Sequence, residues 1–166
     1  KVETLVGRAG KPNKVPLVSG PLKLLKSVHA DDVRFMKAHT NRTVKITIPG
    51  PFTLSQLALS DYYGSTEELA MGYAEVVNQE LKWLFEAGAD IVQFDEPYLQ
   101  AKQEEAAKYG VKAINKALEG IVGETALHVC FGYAAMVSDK SAGGYSCLPL
   151  VEQINVKQVS IEAAQP

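Results

Sequence analysis

The sequence predicts an α/β protein whose core is a parallel sheet of about five strands. Short runs rich in β-branched residues alternate with longer segments of helical periodicity, and several of the short runs are apolar on both faces. Because parallel strands are joined by right-handed helical returns, this pattern fits either an open doubly wound sheet or part of a (β/α)8 barrel. Neither G-x-G-x-x-G nor G-x-x-x-x-G-K-[ST] follows a strand, so neither of these nucleotide-binding sites is predicted.

The strands are expected where β-branched and apolar residues cluster in short runs bounded by helical segments or turns. These runs cover residues 14–18, 43–48, 89–94, 125–130 and 157–162. A strand covered by helices on one face and by the interior of a barrel on the other would be apolar on both sides. The runs are therefore predicted to pair with one another in a single parallel sheet.

The helices between these strands have recognisable boundaries. Ser65 and Glu68 form a capping box that begins a helix, and Gly88 is a suitable left-handed cap at its end. A second long helix is expected over residues 103–118, because apolar residues recur there at helical spacing. Shorter helices are expected over residues 31–38 and 53–59.

The composition is that of a globular domain and excludes several classes of protein. The 166 residues are 46% hydrophobic and 22% charged, with 17 basic and 19 acidic side chains and a formal charge of −2. This balance gives no electrostatic basis for binding nucleic acid, and no uncharged run free of Gly and Pro is long enough to span a bilayer. Two cysteines cannot form a disulfide framework, so a cytoplasmic enzyme is predicted.

The residues with catalytic potential lie at the carboxyl ends of the predicted strands. The second strand runs into the Pro-Gly-Pro turn of residues 49–53, which fixes a rigid loop, and the third runs into Asp95. The fourth contains His128 and Cys130, and the fifth ends in Glu162. Parallel strands bring these ends to one rim, which is where barrel enzymes carry their active sites.

His128, Cys130 and Glu162 are candidate zinc ligands. His128 and Cys130 are two residues apart on a strand, so their side chains point to the same face. Zinc accepts a mixture of nitrogen, sulfur and oxygen ligands, and a thiolate favours zinc over magnesium or calcium. From the spacing alone, the alternative is a buried cysteine beside a hydrogen-bonded core histidine.

Asp95 also has two interpretations. A carboxylate at a strand end could bind an ammonium group or act as a base. Alternatively, the triplet of Asp95, Glu96 and Pro97 could begin a helix, with a capping carboxylate and proline in the first turn. Cys147 lies in a loop-like segment, where a surface or half-buried thiol is expected.

Four segments, taken in order, carry a family resemblance. VKITIPGPFT, ADIVQFDEPYL, LHVCFGYA and VSIEAAQP resemble the C-terminal catalytic barrel of cobalamin-independent methionine synthase and its short bacterial and archaeal relatives. The resemblance extends from about Val15 to the last residue. It implies a (β/α)8 barrel, of which a single incomplete domain over residues 1–166 would form about five strands.

The resemblance also implies an activity and roles for individual residues. Members bind zinc and transfer a methyl group from a methyltetrahydrofolate to the thiol of homocysteine, forming methionine. His128, Cys130 and Glu162 match the family's zinc ligands, and Asp95 matches the aspartate that binds the amino group of homocysteine. The family's fourth ligand is a second cysteine well downstream of the glutamate, and this chain ends before that position. The catalytic acid is not identified by the sequence.

Two other functions stay open at this stage. Some short relatives act on other thiols such as coenzyme M, so a zinc-dependent alkyltransferase or lyase is one alternative. An inactive partial barrel that serves as a binding or assembly module is the other. Since five strands cannot close an eight-stranded barrel, we expect the open edges to be covered, for example in a homo-oligomer. We also expect the 166-residue piece alone to be inactive and to bind zinc poorly.

Overall fold

The computed structural model describes residues 1–7, 11–131 and 144–163, which form a parallel sheet, a smaller second sheet and the surrounding helices. The strands are β1 (Val2–Val6), β2 (Pro12–Val18), β3 (Lys45–Pro49), β4 (Leu59–Ser60), β5 (Ile91–Asp95), β6 (Glu124–Val129) and β7 (Gln158–Ile161). The helices are α1 (Ala30–His39), α2 (Pro51–Gln56), α3 (Thr66–Glu86), α4 (Tyr98–Ala101), α5 (Gln103–Glu105), a π-helical turn (Ala106–Gly110), α6 (Val111–Ala117) and α7 (Leu148–Val151).

The central element is a four-stranded parallel sheet in the order β3-β5-β6-β7. Its register aligns Pro49, Asp95, His128 and Ser160 in one row near the carboxyl ends of the strands. Four of the five predicted strands lie in this sheet, and the predicted α/β class with a partial barrel is confirmed.

The predicted strand at residues 14–18 forms as β2 but lies in a different sheet, so the prediction of five strands in one parallel sheet was wrong. β2 pairs antiparallel with β1 and parallel with the short β4. It buries Val15 and Val18, whereas Lys14 and Pro16 are exposed. Pro16 has no N–H to give to a ladder, which suits this small one-sided sheet better than the centre of a barrel.

The predicted N-cap at Ser65 and the glycine cap of α3 are confirmed, whereas the Glu68 side chain accepts from the backbone N–H of Gly64 at 2.9 Å rather than from that of Ser65. The Ser65 hydroxyl accepts a hydrogen bond from the backbone N–H of Glu68 at 3.1 Å. Gly88 follows the helix with a φ of 102°, a conformation that favours glycine. The helix predicted over residues 103–118 also forms, with a π-helical turn inside it.

The main core lies on the outer face of the parallel sheet, between the sheet and helices α3 and α6. It is built from apolar side chains of the strands and of both helices: Ile48, Val92, Phe94, Leu127, Val129, Leu81, Leu84 and Ile114. Most of the residues that alternate with these strand residues are polar, so the opposite, inner face carries Asp95 and His128, two of the candidate site residues. No helix in the described part of the chain is long and apolar enough to cross a membrane.

Cys147 belongs to this core, which corrects the expectation of a surface or half-buried thiol. Its side chain is fully buried just before α7. The backbone N–H of Cys147 donates to the Gln100 side-chain oxygen at 3.2 Å, and burial raises the pKa of the thiol. Packing of this segment into the main core, with Val151 and Ile154, encloses Cys147, and the local sequence gives no sign of it.

Candidate functional site

The candidate site is the inner face of the parallel sheet at its carboxyl edge. Asp95 of β5 and His128 of β6 are register partners, so they point to the same face of the sheet. Cys130 follows His128 by two residues, and Glu162 follows Ser160 of β7 by two, so strand alternation directs both to that face as well. The structure thus brings Asp95 and His128 to one face and one edge, and Cys130 and Glu162 follow directly after the ends of β6 and β7 at the same edge.

Asp95 does not cap the following helix. Pro97 occupies the cap position of α4, and its side chain cannot accept a hydrogen bond. One carboxylate oxygen of Asp95 instead accepts from the Gln93 amide at 2.8 Å. Asp95 is partly exposed, so its carboxylate is accessible to a ligand. The interpretation of Asp95 as a helix cap was therefore wrong.

Gln93 lies two residues before Asp95 on the same face of β5 and is 7% exposed. Its Nε2 donates to Asp95, while its Oε1 has no hydrogen-bond partner among the described residues. Because the amide is fixed by burial, it holds the Asp95 carboxylate in one orientation.

Glu96 points to the outer face and caps a different helix from the one that the sequence suggested. Its Oε1 accepts from the backbone N–H of Phe52 at 3.0 Å. Its Oε2 accepts from the backbone N–H of Thr53 at 2.8 Å and from the Thr53 hydroxyl at 2.6 Å. Glu96 is fully buried, and burial raises its pKa to about 8, because desolvation outweighs these three hydrogen bonds.

Gly50 explains why the Pro-Gly-Pro turn can meet Glu96 so closely. A Cβ atom at Gly50 would overlap Oε1 of the Glu96 carboxylate. The backbone N–H of Gly50 also donates to the carbonyl oxygen of Asp95 at 3.1 Å. The turn is thus held at the end of β5 by a backbone hydrogen bond, and the absence of a side chain at Gly50 allows the close approach.

His128 is half-buried, and its ring is oriented by a neighbour on β7. Its Nδ1 lies 3.1 Å from the Ser160 hydroxyl. A hydrogen bond to one ring nitrogen fixes the ring and leaves Nε2 as the candidate metal ligand.

Cys130 and Glu162 follow the last residues of β6 and β7. Cys130 is partly buried, and the backbone N–H of the next residue, Phe131, lies 3.4 Å from Oε2 of Glu162. The ladder bond from the Glu162 N–H to the Val129 carbonyl is also long, at 3.4 Å. The two strands therefore begin to separate at this point.

The described side chains do not form a closed metal cluster. In residues 1–7, 11–131 and 144–163, no three His, Cys, Asp or Glu side chains are grouped closely enough to hold a metal ion. The donor set of His128, Cys130 and Glu162 still suits zinc in chemistry, since it offers nitrogen, sulfur and oxygen from adjacent strand ends on one face. Their assignment as zinc ligands stays a prediction.

Comparison with known proteins places the chain in a family. Residues 2–139 match the family described as cobalamin-independent synthase, catalytic domain. The chain belongs to this family. The resemblance noted from the sequence motifs is thereby confirmed.

Individual members of the cobalamin-independent synthase family support the same relationship. The chain is 33% identical to the methionine synthase of Sulfurisphaera tokodaii, a match covering 88% of this chain and 40% of that protein. It is 32% identical to the methionine synthase of Saccharolobus solfataricus, covering 87% of this chain and 41% of that protein.

A solved relative has the same fold. The B12-independent methionine synthase from Shewanella sp. W3-18-1, in complex with selenomethionine, superimposes with a TM-score of 0.89 at 32% identity. The match covers 99% of this chain and 51% of that one. The chain thus spans between two fifths and about half the length of these three relatives.

Sequence reasoning missed three residues that contact the candidate site residues. Gln93 and Ser160 could have been found, because each lies two residues before a predicted site residue on the same strand face. The Tyr145 hydroxyl hydrogen-bonds the backbone of Val129 and of Glu162, at the ends of β6 and β7, and this residue carries no such signal. It enters the site from a segment outside the parallel sheet.

Proposed function

We propose that this chain forms part of the active site of a zinc-dependent methyltransferase that transfers a methyl group from 5-methyltetrahydrofolate to the thiol of homocysteine. Membership of the cobalamin-independent synthase family supports this reaction class. The observation that carries the proposal is the shared inner face at the carboxyl edge, where Asp95 and His128 lie in one row with Cys130 and Glu162 beyond them.

His128, Cys130 and Glu162 would hold the zinc ion. Bound zinc would keep the acceptor sulfur as a thiolate at neutral pH, where a free thiol with a pKa of about 8.5 is mostly protonated. Ser160 would hold the imidazole of His128 in the orientation that presents Nε2. Three ligands from this chain leave a position for a further ligand or for the acceptor sulfur.

Asp95 would bind the ammonium group of the amino-acid acceptor. Its carboxylate is partly exposed on the inner face and is oriented by the Gln93 amide. A hydrogen bond between an ammonium and a carboxylate is charge-assisted and contributes roughly 1.5–3 kcal/mol. The Shewanella relative was solved with selenomethionine, an amino acid that carries the same ammonium group, which supports an amino-acid ligand here.

Zinc binding tests the ligand assignment in the chain itself, where three ligands should give a low affinity, so each variant is compared with the wild-type chain under the same conditions. We expect Cys130→Ser and His128→Ala each to weaken zinc binding at least tenfold, measured by competition with a chromophoric chelator. Cys147→Ala and His39→Ala are the matched controls, because Cys147 lies in the core and His39 is exposed on α1. Equal zinc affinity in the site and control variants would contradict the assignment.

Acceptor binding tests the role of Asp95 separately. In the zinc-loaded chain, we expect Asp95→Asn to weaken homocysteine binding at least tenfold while zinc affinity stays unchanged. The exposed Asp61 provides the control variant Asp61→Asn, which should alter neither. Methyl transfer itself is best measured in a full-length relative that carries the matching substitution. Unchanged homocysteine affinity with intact zinc would rule out the proposed contact.

A further inference from the structure

One side chain joins the two strand ends that carry Cys130 and Glu162. The Tyr145 hydroxyl accepts a hydrogen bond from the backbone N–H of Glu162 at 2.9 Å. Its own hydrogen lies within reach of two carbonyl oxygens, that of Glu162 at 2.9 Å and that of Val129 at 3.2 Å. This single hydroxyl therefore contacts the backbone of β7 at Glu162 and that of β6 at the residue before Cys130.

The contact lies where the ladder between β6 and β7 opens. The direct bond from Glu162 N–H to Val129 carbonyl measures 3.4 Å, beyond the usual range of about 2.7–3.2 Å. The Tyr145 hydroxyl supplies the same N–H with a closer acceptor and the same carbonyl with a second donor. The Tyr145 hydroxyl thus links the Glu162 N–H and the Val129 carbonyl where their direct hydrogen bond is long.

The ring of Tyr145 contacts Phe131, the residue that follows Cys130. It stacks on Phe131 with ring centroids 4.4 Å apart and an angle of 26° between the planes. Phe131 is 5% exposed, and its backbone N–H faces the Glu162 carboxylate. Cys130 therefore lies between two residues, Val129 and Phe131, that are both held by Tyr145.

We propose that Tyr145 is a positioning residue for the metal site, and that its hydroxyl sets the spacing between Cys130 and Glu162. The proposal rests on the zinc site proposed above. Zinc holds sulfur at about 2.3 Å and carboxylate oxygen at about 2.0–2.2 Å, so a small shift of one strand end against the other lowers affinity. A residue that fixes both strand ends without touching the metal acts through the two ligands it spaces.

The test is the variant Tyr145→Phe in the full 166-residue chain, which keeps the ring on Phe131 and removes only the hydroxyl. We expect zinc affinity, measured by chelator competition, to fall by about 10–100-fold, the usual effect of losing a residue that orients metal ligands. With cobalt as the probe metal, we expect the thiolate charge-transfer band to shift or weaken. The Glu162 amide should exchange its hydrogen at least tenfold faster, since it loses its closer acceptor.

Tyr63→Phe is the matched control. The Tyr63 hydroxyl also accepts a backbone N–H, that of Leu22 at 3.1 Å, but it lies beside the small second sheet. This variant should leave zinc affinity, the cobalt spectrum and the exchange of the Glu162 amide unchanged. A similar change in thermal stability for both variants would then separate a general loss of stability from the positioning effect.

The outcomes distinguish this inference from the proposed function. If the wild-type chain binds zinc through Cys130 and Tyr145→Phe binds it equally well, Tyr145 has no positioning role, even where amide exchange accelerates. If the wild-type chain binds no zinc, or if Cys130→Ser binds zinc as well as the wild type does, the zinc site proposed for this chain is wrong and the inference falls with it.

Discussion

The two faces of the parallel sheet place neighbouring acidic side chains in opposite environments. On the inner face, Asp95 is partly exposed, and the Gln93 amide donates to one of its oxygens. On the outer face, Glu96 is fully buried and accepts three hydrogen bonds from the first turn of α2. The same side-chain chemistry thus joins two elements on one face and stays available to a ligand on the other.

This difference shows that strand alternation decides whether a residue at the sheet edge joins two elements or faces a possible ligand. β6 repeats the pattern: His128 and Cys130 alternate with Val129 and Phe131, which are almost fully buried. Outer-face residues hold the strand ends in place, and inner-face residues include Asp95 and His128, for which we propose binding roles. Substitutions on the two faces should therefore differ in what they damage.

Loss of Glu96 should give the largest effect on stability. Glu96→Ala removes the acceptor of two buried backbone N–H groups and one hydroxyl. Since each unsatisfied buried donor costs about 1–3 kcal/mol, we expect the free energy of unfolding to fall by about 3–5 kcal/mol. Urea denaturation measures this, with Asp95→Ala as the matched variant that should change it by less than about 1 kcal/mol. Equal losses would show that the two faces do not differ.

The pH dependence of stability sharpens the same contrast. Burial raises the pKa of Glu96 from its ordinary value of 4.5 to about 8, so between these values the folded group keeps a proton that the unfolded group has lost. The contribution of Glu96 is therefore complete below pH 4.5 and is lost as the pH rises toward 8. We expect a decrease of about 1.4 kcal/mol per pH unit within this window.

Denaturation at a series of pH values checks this dependence. Glu96→Gln cannot titrate and should lack the slope, whereas the exposed Glu67 of α3 provides the control Glu67→Gln, which should keep it. A slope that survives in Glu96→Gln would assign the titration to another group.

Closing the space at Gly50 should have the smallest of these effects. Gly50→Ala would force its Cβ against the Glu96 carboxyl group. The Glu96 side chain or the Pro-Gly-Pro turn must then shift, which we expect to lower the free energy of unfolding by about 1–3 kcal/mol. Gly20→Ala is the matched control, because no described atom lies within 4 Å of the position a Cβ would take. Thermal unfolding should separate the two variants. An unchanged melting temperature in Gly50→Ala would mean that the Glu96 side chain moves aside without loss of stability.

Local signals account for what could be predicted from the sequence. The N-cap at Ser65 and the cap at Gly88 depend on nearby residues only, and both are confirmed. The face shared by His128 and Cys130 follows from their spacing on one strand. The strand at residues 14–18 was assigned to the wrong sheet, because a short apolar run does not specify its partners.

The sequence by itself determined the α/β class, most element boundaries and the polar residues that end each parallel strand. These features depend on periodicity, capping and alternation, which act over a few residues. Only the tertiary structure decided that Glu96 holds α2, that Cys147 is buried and that Tyr145 bridges β6 and β7. Each of these contacts joins segments distant in sequence, and their packing is set by the whole core.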